Sequence, residues 1–265
     1  MSKKNQTSKE NLKDFYSNRS KEISNQSHDD KFRTLSESWF KKSTDFNYSY
    51  HFDWLSRPII QYPQDMIALQ EIIWKVKPDL IIETGIAHGG SLIYSASLLG
   101  MIDICKMYDQ KTTLSYKDTN SLVLGIDIEI RKENKKLIKK HPLSNKIRMI
   151  EGDSIAENIV REVSEIAKNF NRILVCLDSN HSHKHVLEEL KLYSKFVTKD
   201  SYCIVFDKAI ENLKDNPIKG WGPGNSPRTA VNDFVKNNKN FEIDYSIDNK
   251  LMISVAKGGY LRKVR

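Results

Sequence analysis

From residue 79 to the C-terminus, short apolar runs alternate with stretches of helical periodicity, and this alternation constrains the fold more than any other feature of the chain. "DLIIET" at 79–84, "LVLGIDIE" at 122–129, "KIRMIEGDS" at 146–154, "RILVCLDSN" at 172–180 and "SYCIVFD" at 201–207 read as strands. Helical stretches follow them at 89–102, 131–141, 155–170, 183–197 and 226–238. Strands buried on both faces appear in sequence as continuous apolar runs, and strand–helix repetition builds right-handed βαβ units around a mostly parallel sheet. "FEIDYSI" and "KLMISVAKGGYL" read as a closing antiparallel pair joined by the turn "DNK" at 248–250. The expected fold is α/β: a doubly wound, Rossmann-like, mostly parallel seven-stranded sheet with a C-terminal antiparallel hairpin.

A chain of 265 residues can bury a full core of this kind. Residues 34–265 are expected to form one domain, opening with the aromatic-rich segment 46–62 and a helix over 64–77 that Pro78 ends and whose first turn carries Asp65. The net charge of +8 belongs to the ends. Residues 1–33 hold eight Lys or Arg against five Asp or Glu, and residues 256–265 hold four basic residues and no acid, which leaves a nearly neutral body. The first 33 residues therefore read as a polar, basic, flexible arm, and nucleic acid is not the expected partner. No apolar run approaches the roughly 20 residues of a membrane span and no signal-peptide pattern opens the chain, so a cytoplasmic protein is expected. Cys105, Cys176 and Cys203 lie far apart with no CxxC spacing, and the latter two sit in apolar runs as core thiols.

In open α/β sheets ligands bind beyond the carboxyl ends of the strands. Five successive strands here end in or just before an acid: Glu83, Asp127, Asp153, Asp178 and Asp207. The first turn, "ETGIAHGGS", lets Gly85, Gly89 and Gly90 approach a ligand closely, and Ser91 can cap the next helix. It matches neither GxGxxG nor GK[ST], and with an acid before it and no lysine in it, it suits an amino-bearing ligand such as the methionine end of S-adenosylmethionine better than a phosphate. Asp127 is placed for two ribose hydroxyls, and Asp153 with Ser154 for the adenine.

Taken together, "RPIIQYPQD", "IIETGIAHGGS", "GIDIEIR", "EGDS", "LDSNHSHKHV" and "SYCIVFD" resemble the cephalosporin hydroxylase family, over roughly residues 45–262. The resemblance implies a class I S-adenosylmethionine-dependent O-methyltransferase fold and a sugar, polysaccharide or other polar hydroxyl acceptor. It places Glu83, Gly85, His88, Gly89 and Ser91 at the methionine end, Asp127 at the ribose, and Asp153 and Ser154 at the base. It also implies a divalent cation, magnesium by the hardness of its ligands, at Asp178 and Asp207. Two departures stand out: Phe206 precedes Asp207 where some members carry an adjacent acid, and Lys208 follows where catechol enzymes carry asparagine. Lys208 could repel a cation or pair with Asp178 within the catalytic set.

"DSNHSHKH" has three histidines in five residues. His181 and His185 could share a helical face with His183 turned away, and His181, three residues after Asp178, is the expected general base or auxiliary metal ligand. Residues 208–227, rich in Gly and Pro, form a candidate lid that closes with Trp221, while Trp54, Arg57 and Gln61 could line the acceptor pocket from the other side. Two other readings stay open: an iron/2-oxoglutarate hydroxylase, which needs two histidines and a carboxylate facing one iron, and a non-catalytic methyltransferase-like binding protein. A homo-oligomer is compatible with the aromatic segment.

Overall fold

The computed structural model describes residues 3–110, 119–212 and 220–265. Residues Lys3–His28 form α1 and Asp30–Thr44 form α2, which Asp29 caps by accepting from Phe32 N at 3.0 Å. The segment expected as an arm is thus helical where described, and Gln26 Nε2 ties α1 to the carbonyls of Asn249 (2.7 Å) and Lys250 (3.0 Å). The aromatic segment folds into a small antiparallel hairpin, β1 (Phe52–Trp54) and β2 (Arg57–Ile59), and leads into α3 (Pro63–Val76). Proline opens α3, at a position where its missing N–H leaves no bond unmade. Asp65 in its first turn is buried, and it accepts from Ser254 Oγ (2.6 Å), Val255 N (3.0 Å) and Tyr260 OH (2.6 Å). This acid therefore fastens the start of the domain to its last strand.

The sheet contains β3 (Leu80–Thr84), β4 (Leu122–Asp127), β5 (Ile147–Glu151), β6 (Ile173–Leu177), β7 (Tyr202–Val205), β8 (Phe241–Ile243) and β9 (Tyr260–Lys263), in the order β5-β4-β3-β6-β7-β9-β8. The first five pair in parallel; β9 runs antiparallel to both β7 and β8. Successive strand residues serve opposite cores. Ile81, Val123, Leu174 and Ile204 pack with α3 and with α4 (Gly90–Gln110), while Ile82, Leu124, Val175 and Leu177 pack with α6 (Glu157–Ala167), α7 (His183–Tyr193) and α8 (Pro227–Asn237). Each such fully buried side chain contributes roughly 1.5–3 kcal/mol, which is why the register holds. α5 (Lys132–Lys140), basic and mostly exposed, buries Ile138. Cys176 and Cys203 are buried free thiols, as expected.

Two readings need correction. α4 runs through Gln110, eight residues beyond the helix expected at 89–102, and residues 111–118 lie outside the described residues. β8 and β9 do pair antiparallel, but no turn at 248–250 joins them. Instead Asp244 caps α9 (Tyr245–Leu251), accepting from Ser246 N at 3.2 Å, and Ile247 on that helix enters the core. No helix among the described residues is long and apolar enough to cross a membrane.

From β3 the chain winds outward through β4 and β5, then returns to the other side of β3 as β6 and β7. The reversal of strand order falls between β3 and β6, the place where a ligand crevice forms in open α/β sheets. The glycine turn after β3 and Asp178 after β6 both line it.

Candidate functional site

A cleft of about 570 Å³ opens at this switch point. Its floor is the turn after β3. Gly85 has φ +90°, and a Cβ on it would lie 2.2 Å from the carbonyl oxygen of Asp178; a Cβ on Gly90 would lie 2.2 Å from that of Pro58. Only glycine lets the turn nest between β6 and the β1–β2 hairpin. Gly89, φ +83°, sits on the Ile138 side chain. The turn is then clamped by side chains. Arg57 Nε donates to His88 O at 3.0 Å, its Nη2 reaches the same carbonyl, and Nη2 also donates to Asn134 Oδ1 at 3.0 Å; Asn134 Nδ2 in turn donates to Ala87 O at 2.9 Å. Arg57 is 8% exposed and fully engaged in this clamp, which corrects its assignment to the acceptor pocket. Trp54 is corrected likewise: its Nε1 donates to Ser97 Oγ at 3.1 Å and its ring meets Tyr94 edge-on.

Asp127 lies in the cleft beside the turn. Its Oδ2 accepts from Ile86 N (2.7 Å) and Oδ1 from Glu129 N (3.1 Å), which fixes the carboxylate and leaves a lone pair on each oxygen for a neighbouring diol. His88, Ser91, Asp153 and Ser154 also line the cleft. Glu83 does not. It is buried under the turn, where it accepts from Ser91 Oγ, and burial, only partly offset by that bond, raises its carboxyl to about 7.

At the far wall Asp178, His181 and Asp207 each bring one ligand atom, all within 4.8 Å of one another, and they are the one such group of three among the described residues. His181 Nε2 lies 3.0 Å from Asp207 Oδ2, and Trp221 packs edge-on against the His181 ring at 4.9 Å. Loss of water around Asp178, with the charges of Asp207 and Glu83 in addition, holds its carboxyl well above the usual range. Gln61, 7% exposed, donates from Nε2 to Asp178 Oδ2 at 3.3 Å, and its buried Oε1 has no protein partner. Two crowded carboxylates, an imidazole and a spare amide oxygen are a donor set that fits a hard divalent cation. The set holds one histidine and two carboxylates, the reverse of the two-histidine, one-carboxylate arrangement of an iron oxygenase.

Lys208 must be removed from this group. Asp207 adopts a left-handed conformation (φ 54°) at the end of β7, so the chain reverses and the two side chains part. Lys208 is buried away from the cleft, donating from Nζ to Gly258 O at 2.5 Å, and burial pulls it down to about 8 despite the opposing charge of Asp248. It neither repels a cation at Asp178 nor pairs with that acid. Of the candidate lid, residues 213–219 lie outside the described residues; on its return, Gly224 N and Ser226 Oγ both donate to Glu211.

The histidine tract divides three ways. His183 turns away as expected, its Nδ1 2.8 Å from Thr229 Oγ1. His181 precedes α7, so it shares no helical face with His185. His185 lines the cleft over Glu189, an acid not singled out from sequence and fully buried behind Ser154 and Ser179. Burial opposes charge on His185, but its bond to Glu189 and the charge of that acid outweigh this and raise it.

The family model described as Rhamnosyl O-methyltransferase/CmcI matches residues 46–264. A rhamnosyl O-methyltransferase of Mycobacterium tuberculosis is 28% identical over 200 residues, covering 74% of this chain and 72% of that protein. One from Mycobacterium leprae is 26% identical over 210 residues, covering 78% and 81%. Among solved structures, a Mg-SAM form of CmcI superposes with TM-score 0.51 at 15% identity, covering 82% of this chain and 78% of that one. An apo form gives TM-score 0.53 at 16% identity, with 82% and 77% covered, and the likeness establishes the shared fold.

Proposed function

The chain belongs to the Rhamnosyl O-methyltransferase/CmcI family, and from that premise we propose that it is an S-adenosylmethionine-dependent O-methyltransferase acting on a hydroxyl of a sugar or sugar-bearing acceptor, assisted by a divalent cation. The observation that carries this reading is the opposition, in one cleft, of the clamped glycine turn and Asp127 to the group Asp178, His181 and Asp207. The turn and Ser91 receive the amino-acid end of the donor, Asp127 the two ribose hydroxyls, and Ser154 lies at the base. In that placement the methyl group would lie between the turn and the far wall.

Asp178 and Asp207, with His181 beside them, are the residues that would hold magnesium, whose charge when bound makes an acceptor hydroxyl easier to deprotonate. The His181–Asp207 pair, joined through Nε2 and Oδ2, takes up the hydroxyl proton as the acceptor oxygen forms its bond to the methyl carbon and the carbon–sulfur bond breaks to leave S-adenosylhomocysteine. Gln61 orients Asp178, and Trp221 shields the outer side of His181.

The acceptor is uncharged. Arg57 and Lys208 are both turned away, so the described residues lining the cleft contribute carboxylates and imidazoles and no ammonium or guanidinium group. A neutral glycosyl hydroxyl suits such a wall, and the rhamnosyl acceptor named for the mycobacterial relatives is of that class. The test is incubation of purified protein with S-adenosylmethionine, Mg2+ and a panel of neutral rhamnosides and other glycosides, reading S-adenosylhomocysteine release and the mass gain of one methyl group. Failure to bind S-adenosylhomocysteine at millimolar concentration would sink the reading.

A further inference from the structure

Resting on the reading of the cleft as the S-adenosylmethionine site, we infer that Glu189 is a positioning residue that sets the nucleobase specificity of the donor by fixing the direction of two serine hydroxyls.

Glu189 is 0% exposed in the middle of α7, and it makes no contact with the cleft itself. Its Oε1 accepts from Ser154 Oγ at 2.6 Å and from Ser179 Oγ at 2.7 Å. A hydroxyl has one hydrogen, and both are committed to the same oxygen. His185 Nε2 lies 3.1 Å from Ser154 Oγ, 3.3 Å from Ser179 Oγ and 3.5 Å from Glu189 Oε1, so the imidazole flanks the cluster, and its one ring hydrogen at Nε2 cannot occupy the lone pairs of both serines. Tyr193 OH holds the Ser154 carbonyl at 2.7 Å and keeps the β5 turn in place. Ser154, Ser179 and His185 all line the cleft, at the end where the base lies.

With their hydrogens directed inward, the two serines can offer a ligand only oxygen lone pairs. An exocyclic 6-amino group, which carries two donors, meets such a wall favourably. A 6-oxo group presents lone pairs to lone pairs and leaves buried acceptors unpaired, a mismatch that costs far more than loss of one contact. Glu189 thus makes the pocket select adenine over 6-oxopurines without touching the base. Its second oxygen, Oε2, is buried with no hydrogen-bond partner, which is not the arrangement expected of a residue kept for stability alone.

The experiment is calorimetric titration of wild type, Glu189→Leu and the double variant Ser154→Ala/Ser179→Ala with S-adenosylhomocysteine and with S-inosylhomocysteine, which differs in carrying the 6-oxo group. Wild type should prefer the adenosyl ligand by at least about tenfold. In Glu189→Leu the freed hydroxyls can turn to donate, and the preference should fall to within about threefold of unity, chiefly through tighter inosyl binding. Glu189→Gln, which keeps an acceptor oxygen, should restore part of it. A merely structural Glu189 would weaken both ligands alike and leave their ratio unchanged, and that result in the Leu variant overturns the inference. Should Glu189→Leu fail to fold, the double serine variant decides: an unchanged ratio there overturns the inference equally. Wild type that binds neither ligand would refute the methyl-donor reading underneath; wild type that binds both equally would refute only the role of Glu189.

Discussion

The two walls of the cleft are finished to different degrees. On the donor side the backbone does the positioning: Gly85 and Gly90 fit against carbonyls, Arg57 and Asn134 hold the carbonyls of His88 and Ala87, and both Asp127 oxygens accept amide hydrogens. On the acceptor side Asp178 and Asp207 lie together with a neutral amide and an imidazole for company, and burial, with the charges of Asp207 and Glu83 in addition, pushes Asp178 up. The donor wall is preorganised by the chain alone, whereas the acceptor wall sets two carboxylates together with no ammonium or guanidinium group among the described residues lining the cleft, an imbalance that the proposed cation would relieve. Order and charge are thus assigned to separate walls, so their contributions can be separated by mutation.

The largest effects should come from exchanging one residue on each wall. Asp178→Asn keeps the shape but removes the charge, and turnover should fall by about 10³-fold while S-adenosylhomocysteine affinity, measured by calorimetry, changes less than about threefold. The same variant should lose the rise in melting temperature that Mg2+ or Mn2+ gives wild type. Arg57→Met should behave in the opposite sense, with affinity for S-adenosylhomocysteine falling about tenfold as the turn loosens, and turnover at saturating donor falling less. If both variants damaged affinity and turnover in equal proportion, the two walls would be one cooperative unit and the comparison would fail.

A smaller effect tests the layer beneath. Glu83 supports the donor turn through Ser91, and burial lifts it from 4.5 to about 7. Its folded form binds a proton that its unfolded form releases earlier, so stability is greatest below pH 4.5 and falls as pH rises through 7, by about 3 kcal/mol for a shift of this size. Urea unfolding of wild type across that window should show a slope of this sign, and Glu83→Gln should reduce it, leaving the part that Asp178 and Asp65, also raised by burial, contribute. An undiminished slope in the variant would place the linkage elsewhere.

How much of this could be read from sequence follows from what kind of information residue order carries. Strand–helix alternation is a property of neighbours, so the parallel sheet and its five terminal acids were legible, and so was the opposition of the glycine turn to Asp178 once ligands are placed at strand ends. Direction was not. Nothing local shows that Arg57 points down onto the turn, or that Lys208, after a left-handed Asp207, turns away to Gly258 O. The residues of α9 read as strand ends flanking a turn because "DNK" is turn-like in composition, while the cap at Asp244 that starts the helix lies four residues earlier. Glu189 did leave a signal. Val186, Glu189, Leu190 and Tyr193 follow the i, i+3, i+4, i+7 spacing of one buried helix face, and an acid on that face needs partners. Weighing acids only at strand ends passed over it.

The smallest expected effect concerns Lys208, and its smallness is the point. A lysine directly after a presumed metal ligand invites a catalytic role, yet its ammonium lies against Gly258 O and its nearest countercharge is Asp248, on α9. Lys208→Met should therefore change turnover and Mg2+ dependence by less than about twofold. Its contribution lies in stability. Burial lowers it from 10.5 to about 8, so between those values the unfolded chain binds a proton the folded chain has lost, and stability rises as pH increases from about 8 to 10.5. Denaturation midpoints of wild type should therefore gain on those of Lys208→Met across that window, the groups common to both chains cancelling in the difference. A large loss of turnover in a stably folded variant would return Lys208 to the acceptor wall, and the charge imbalance at Asp178 would then have to be explained with an ammonium group in place.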